Sequence, residues 1–356
     1  MDFIVKSALE TEETKDEGWD VGQVRISIVG TGGAGNNAAD RLYKRGIQGA
    51  KIVAMNTDKQ HLDHREADVK LLLGKEVCRG LGAGGFPEVG KRAAEENKAE
   101  IKEILKDADM VFVVAGMGGG TGTGSAGVIA RIAKELGAIV IGTVTMPFKM
   151  ERARLYKAES GLYDLRQVCD TVIVIDNNRL LEIAGNLPIG QAFSVADELI
   201  STMIKGIVET IAIPSLVNLD YADVKTVMSH GGVAVIGVGE SGSENKAAEA
   251  VKKALNNPLL DVDYRGATGA LIHVTGGPDM TLEESNLVGD YVTRELDKDA
   301  QVIWGARIDP KFNGKIRVMT IITGVKSPQL LGPVDVKEPT QQAREVTNKL
   351  GLKLLY

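Results

Sequence analysis

The sequence predicts an α/β protein: a doubly wound, mostly parallel sheet, then a long helix, then a second, smaller αβ unit. Three observations predict it. Strand-length apolar runs alternate with stretches of helical periodicity up to residue 176, the pattern of parallel strands joined by crossover helices. Residues 189–212 carry Phe193, Ala196, Ile200, Ile204, Ile207 and Ile211 at three- and four-residue spacing, one apolar stripe along a helix. Glycine is also in excess, with 42 in 356 residues against an average of about 7 %. The excess is local: four lie in 30–35, five in 74–85 and seven in 116–127.

In order, VRISIVG (24–30) reads as a strand feeding a glycine turn, and NNAADRLYKRG (36–46) as a helix closed by Gly46. KIVAMNTD (51–58) is a second strand, 59–87 reads as loop-rich, and 88–109 as one helix with a charged outer face. DMVFVVAG (109–116) is almost uninterrupted in apolar side chains, as expected of a strand covered on both faces. A helix at 125–137, a strand at 138–146, a helix at 151–168 and a strand at 171–176 complete the first unit. After the long helix and a loop at 213–220, strands are expected near 233–238, 268–275, 300–308 and 315–324. Helices are expected near 221–229, 243–256 and 281–297. Past 326 the chain turns polar, with Pro328, Pro333 and Pro339, and ends in the amphipathic stub EVTNKLGLKLLY.

Length fits about two domains. The net charge of −6 disfavours non-specific binding to nucleic acid or anionic lipid. Two cysteines, Cys78 and Cys169, point to a reducing compartment without a disulfide framework. No apolar run reaches the roughly 18 residues of a membrane helix, and MDFIVKSALE lacks the order of a signal peptide. The expectation is a cytoplasmic protein with no nucleic-acid partner and no direct membrane insertion.

Gly30-Thr31-Gly32-Gly33-Ala34-Gly35 fits G-x-G-x-x-G between a strand and a helix, and Asp58 ends the next strand. This is the dinucleotide fingerprint, and alone it suggests a nicotinamide or flavin enzyme. The physics is more general: backbone N–H groups at a helix N-terminus favour phosphate. A bland alternative is that these glycines only allow tight strand–helix packing. Gly116-Met117-Gly118-Gly119-Gly120-Thr121-Gly122-Thr123-Gly124 repeats the arrangement on another strand. Two anion-binding helix starts on one sheet suit a polyphosphate better than a single pyrophosphate. Each N–H to a charged oxygen contributes about 1.5–3 kcal/mol, so no Walker lysine is needed, and no G-x-x-x-x-G-K-[ST] occurs. GLGAGG (80–85) is a third flexible glycine loop, suited to a terminal phosphate or to no ligand at all.

Asn218-Leu219-Asp220-Tyr221-Ala222-Asp223 precedes a helix. By spacing, Asp220 is an N-cap with Asp223 at N3. By chemistry, two carboxylates one turn apart can also orient a water and a hydrated cation. His61 and His64 flank Asp63, too few groups for a metal site on their own.

GTGGAGNN, MNTD, RGLGAGGFPEVG, AGMGGGTGTGSA, MPFKME, FSVAD, NLDYADV and DYRGATGALIHVTGG together resemble the tubulin/FtsZ family, over about residues 24–326. TGTG rather than TGSG, and the chain length, resemble its FtsZ branch; the N-terminal arm and residues 147–229 resemble the archaeal members. The resemblance implies a tubulin/FtsZ-like fold: an arm (1–22), a Rossmann-like GTP-binding domain (23–188), a central helix (189–212), a smaller α+β domain with a mixed sheet (213–326) and a tail (327–356). It implies a GTPase that binds GTP/GDP with Mg²⁺ held mainly through phosphates and water, and that polymerises head to tail with itself at a mid-cell division ring. A membrane-tethering division protein is a further implied partner for the tail, although the stub does not match the bacterial C-terminal peptide.

Carried over residue by residue, Gly32, Gly33 and Asn36 line the first loop, and Asn56, Thr57 and Asp58 the second, beside the phosphates. Gly82, Ala83, Gly84 and Gly85 contact the terminal phosphate. Gly118, Gly119, Gly120, Thr121, Gly122, Thr123 and Gly124 cradle the phosphates, and Glu151 bonds the ribose. Asn177, Phe193 and Asp197 read guanine, with Phe193 stacking on it. The family's arginine after Pro-Phe falls on Leu155 here, so Arg152 and Arg154 compete for its role, with Arg154 preferred. Asn218, Asp220 and Asp223 act catalytically on the nucleotide of the next subunit.

Overall fold

The computed structural model describes residues 24–325 except 214, 218–219, 230–233, 257–266 and 295. The arm, the tail and Asn218 therefore lie outside the described residues. So do some side chains within helices, that of Phe193 among them.

The first unit is built on a six-stranded sheet, all parallel. Its strands are β1 (Ile26–Thr31), β2 (Ala50–Asn56), β3 (Val69–Leu72), β4 (Met110–Gly116), β5 (Ile139–Met146) and β6 (Thr171–Asp176), in the order β3-β2-β1-β4-β5-β6. Strand order reverses between β1 and β4, so a crevice opens there at the carboxyl ends of the strands. The helix after β1, α1 (Gly32–Arg45), and the helix after β4, which spans Thr121–Glu135, begin on either side of that crevice.

Three expectations need correction. The stretch 59–87 is not mere loop: it holds α2 (Lys59–Asp63), β3 and α3 (Lys75–Cys78). The helix expected over 88–109 is two, α4 (Pro87–Glu96) and α5 (Lys98–Leu105). Asn97 separates them, because its side-chain oxygen accepts the Gly74 N–H at 2.8 Å and ties the helix break to the end of β3's loop. The helix expected from 125 starts four residues earlier, as α6 (Thr121–Glu135). Glycine disfavours a helix by about 1 kcal/mol each, but here close packing decides: a Cβ on Gly124 would sit 2.0 Å from the Pro87 carbonyl oxygen.

The first unit continues through α7 (Arg152–Arg166) and α8 (Asn177–Ala184) to the long helix α9 (Ile189–Ala212). Ile200, Met203, Ile204, Ile207 and Val208 bury its stripe against Ile28, Ile52 and Phe112 of the sheet. The same cluster takes in Val224 and Met228 of α10 (Tyr221–Ser229) and Ile236, Leu271 and Ile321 of a second sheet. α9 is therefore glued to both sheets by one core. Each such side chain contributes about 1.5–3 kcal/mol on burial.

The second sheet is β7 (Ala234–Ser241), β8 (Gly269–Gly276), β9 (Gln301–Ile308) and β10 (Ile316–Thr323), in the order β7-β10-β8-β9. It is mixed: β10 is antiparallel to β7 and β8, and β9 is parallel to β8. Helices α11 (Lys246–Leu255) and α12 (Leu282–Thr293) complete this unit; the capping box of Thr281 and Glu284 opens α12. No helix among the described residues is long and apolar enough to cross a membrane.

Candidate functional site

The glycine loops meet at the carboxyl edge of the first sheet. Gly32 has φ +70°, and a Cβ there would lie 2.7 Å from the Gly122 nitrogen. The 30–35 and 116–124 loops thus touch backbone to backbone, which only glycine permits. A Cβ on Gly120 would lie 2.9 Å from Ala83 and 3.1 Å from the Gly85 nitrogen, so the 80–85 loop closes on the same point. Gly33, Gly85 and Gly119 differ: nothing lies within 4 Å of a Cβ built on any of them. Their missing side chains leave open space rather than permit packing.

At Gly33 and Gly119 that space is a cleft of about 670 Å³, lined also by Gly120, Thr121, Gly122, Glu151, Arg154 and Asn177 among others, while Gly85 lies outside its lining. The N-termini of α1 and α6 open on it, and neither has a side-chain cap. Their free N–H groups carry partial positive charge into the cleft. Below, the Thr57 and Thr121 hydroxyls meet at 2.6 Å. Gly118 N–H donates to Thr123 Oγ1 at 2.9 Å, which fixes the loop's entry into α6. Arg154, not Arg152, lines the cleft; its guanidinium donates to Glu151 at 2.6 Å.

A second hollow opens between α1 and α9, with Asn37, Arg41, Arg65, Ser194 and Asp197 in its wall. Burial pushes the Asp197 carboxyl up to about 6, against the opposing pull of Arg41 and Arg65. Asn36 and Asn56 are buried and line neither hollow, and Gly82 and Gly84 hold left-handed backbone beside Asp58 and Phe86.

Sequence reasoning missed Thr145, Pro147 and Phe148, which line the cleft from the end of β5. The rule that ligands sit at the carboxyl ends of parallel strands could have found them. It also missed Lys157, whose ammonium donates to the Gly85 carbonyl at 2.7 Å and stands over the Phe86 ring. No sequence signal marks that contact.

Asp220 lies elsewhere. It borders a hollow with Val24, Arg25, Ser27 and Asp107, at the amino ends of β1 and β4. Tyr221 anchors it there by donating its hydroxyl to the Asp109 carbonyl at 2.7 Å. Asp220 Oδ1 accepts the Asp223 N–H at 2.7 Å, so the capping geometry is present, on an exposed residue. β1 has six residues, which span about 20 Å at about 3.3 Å each. These carboxylates and the glycine loops occupy opposite edges of one sheet. The histidine pair makes no metal centre: His64 bonds the Gln60 carbonyl, Asp63 pairs with Lys59, and no metal-holding cluster of acids, histidines and cysteines occurs among the described residues.

Two helix starts and three glycine loops converge where one pyrophosphate needs a single loop, so the arrangement suits a longer polyphosphate better than a dinucleotide. Comparison with known proteins agrees. Residues 25–185 match the GTPase domain model of the tubulin/FtsZ family, and residues 232–326 match the C-terminal domain model of the FtsZ family. Cell division protein FtsZ 2 of Methanocaldococcus jannaschii is 60% identical, over 98% of this chain and 94% of its own. The FtsZ 2 protein of Halobacterium salinarum is 56% identical, over 97% and 90%. Among solved structures, an empty FtsZ dimer from M. jannaschii superposes with a TM-score of 0.80 at 50% identity, covering 91% of this chain and 92% of that one. A GTPγS-bound protofilament of CetZ2 from Haloferax volcanii shares the fold, with a TM-score of 0.75 at 22% identity. The chain belongs to the FtsZ branch of the tubulin/FtsZ family and carries that family's GTPase domain.

Proposed function

We propose that this GTPase is a self-assembling cytoskeletal protein whose subunits stack head to tail, and that the nucleotide of one subunit is hydrolysed against Asp220 and Asp223 of the next. One observation carries the proposal: the glycine cleft and the carboxylate pair lie at opposite edges of the same sheet. No single chain can bring them together, whereas stacking carboxyl edge on amino edge does so at every junction. The solved FtsZ dimer from M. jannaschii supports self-association.

In this reading residues 23–188 bind GTP or GDP, 189–212 link, and 213–326 supply the partner's catalytic face. The N–H groups of Gly118 to Gly124 and of Gly32 and Gly33 hold phosphate oxygens, with Gly82 to Gly85 at the terminal one. Thr57 and Thr121 would offer hydroxyl oxygens to a Mg²⁺ carried mainly by the phosphates and water, which would supply charge stabilisation. Glu151 and Arg154 reach the ribose side; Asn177, Phe193 and Asp197 recognise guanine. The incoming Asp220 and Asp223, with Asn218, orient the attacking water. The setting is a cytoplasmic, mid-cell division ring. The tail (327–356) docks a membrane-tethering division protein.

Light scattering at 90° with parallel phosphate release, on adding GTP and Mg²⁺, tests this. Both rising cooperatively with protein concentration is the expected result. Scattering without release removes the catalytic assignment, and neither removes the assembly. Truncation after Val325 is expected to keep assembly and lose recruitment; unchanged recruitment removes the tail's role.

A further inference from the structure

Beneath the cleft runs a hydrogen-bond relay whose last member has no place in the site as described so far. Asn36 is fully buried and Asn56 nearly so. With the Asn36 amide in the orientation that satisfies its neighbours, its Nδ2 donates to the Gly30 carbonyl at 2.7 Å and the Met55 carbonyl at 3.1 Å. Its oxygen then accepts from Asn56 Nδ2 at 2.9 Å. Asn56 Oδ1 accepts the Asp58 N–H at 3.2 Å. Turning the Asn56 amide over would set its NH₂ against that N–H, so its orientation is fixed. Its second N–H points at His61 Nδ1, 3.2 Å away.

An amide of fixed orientation makes Nδ1 an acceptor, so His61 is neutral with its proton on Nε2. Arg65 Nη2, which can only donate, stands 3.5 Å from Nε2, at the far limit of a hydrogen bond; the shorter contact from the fixed Asn56 amide sets the tautomer, and Arg65 then acts on the ring through its charge alone. Burial, first, and the Arg65 charge, second, lower the His61 pKa from its ordinary value, with His64 adding slightly, against the opposing fields of Asp58 and Asp40. A protonated ring would turn its Nδ1–H against the Asn56 amide and its charge against Arg65.

We propose that His61 is a positioning residue for the nucleotide: as a neutral acceptor it closes the Asn36–Asn56 relay and so holds residues 56–58 against the 116–124 glycine loop. The contact it protects is that of Thr57 with Thr121, 2.6 Å apart at the base of the cleft. The His61 N–H also bonds Asp58 Oδ1 at 3.0 Å, so backbone and ring grip the same three residues. The inference rests on nucleotide occupying the glycine cleft.

Two variants of the full chain test it, with binding of a fluorescent GTP analogue measured from pH 7.5 to 5.5. His61→Phe keeps a ring and loses the acceptor. His61→Asn sets an oxygen where Nδ1 stood and cannot be protonated. At pH 7.5 His61→Phe binds roughly three- to tenfold more weakly, the scale of about one hydrogen bond, and its nucleotide-free melting temperature falls because the buried Asn56 N–H loses its acceptor. His61→Asn binds within about twofold of the wild type, a margin well inside one hydrogen bond. Below pH 6.5 it escapes part of the wild type's loss of affinity, keeping only the share due to Asp197. Wild-type affinity in His61→Phe, or a pH profile of His61→Asn that superposes on the wild type's, overturns the proposal. Should His61→Phe fail to fold, the His61→Asn profile alone decides. Absence of binding in the wild type overturns the nucleotide reading instead.

Discussion

The two edges of the six-stranded sheet are made of opposite chemistry. The carboxyl edge presents backbone: uncapped helix N-termini and glycines whose missing side chains leave a cleft. The amino edge presents side chains: Asp220 and Asp223, moored through Tyr221 to the Asp109 carbonyl. The first edge attracts anions through backbone N–H groups, with Asp58 and Glu151 at its margin; the second presents Asp220 and Asp223 on an exposed helix start. A sheet strand about 20 Å long keeps them apart. The difference gives the chain two separated sets of groups, which the proposed stacking would bring together at a junction.

The comparison breaks most visibly at Asp220. Asp220→Asn keeps an N-cap oxygen and removes the charge, so folding and GTP binding stay near wild type. Assembly-dependent phosphate release falls by roughly 100-fold or more, the scale seen when a preorganised catalytic group is removed. Asp220→Ala loses the same activity and additionally costs about 0.5–2 kcal/mol as a cap, read as a lower midpoint in denaturant. Equal turnover in both variants and the wild type would place catalysis elsewhere.

At the other edge, glycines fall into two kinds, and substitution separates them. Gly119→Val fills open space, so its melting temperature holds while GTP affinity drops at least about tenfold, the loss of one charged N–H contact. Gly124→Ala meets the Pro87 carbonyl, so it destabilises the fold itself, by about 1–3 kcal/mol for overpacking. Calorimetry beside a binding titration distinguishes the two; a Gly119→Val protein with undiminished GTP affinity removes that face from the site.

The smallest effect is in pH. The Asp197 carboxyl is pushed up to about 6 from an ordinary 3.8. Between those values the empty folded protein holds a proton that the unfolded chain has released. This group therefore favours the fold in acid, and that contribution is lost as pH rises through about 6. Guanine binding runs the other way, because the base's N–H edge needs the ionised form. Affinity is expected to fall severalfold from pH 7 to 5, while the melting temperature without nucleotide gains from this group. Asp197→Asn should flatten that part of both profiles.

How much of this was legible in the sequence follows from the kind of interaction. β4 and β5 are apolar runs, so the first sheet could be read directly. β3 could not, since four residues pair with β2 only because α2 folds them back. The break at Asn97 carries no proline or glycine; it comes from a side chain bonding Gly74, 23 residues away. The glycine loops announced an anion cradle, yet the opening cluster alone suggested a dinucleotide. Only the convergence of all three at Gly32, Gly120 and Gly122 selects a polyphosphate. Asp220 read as a helix cap, and it is one; its further role rests on which edge it occupies. His61 was passed over because nothing in its spacing tells which nitrogen faces Asn56.

Mixing two silent variants tests the half-site account most directly. Asp220→Asn has an intact cleft and lacks the Asp220 carboxylate; Gly119→Val has both carboxylates and a cleft that binds GTP weakly. At a GTP concentration that fills the wild-type cleft and leaves the Gly119→Val cleft largely empty, each alone should release phosphate near background rate. Mixed with GTP and Mg²⁺, they should recover turnover at junctions where the first subunit's nucleotide meets the second subunit's Asp220. A mixture as inactive as its parts, while scattering shows that the two assemble together, would contradict the claim that the site is completed by a neighbour.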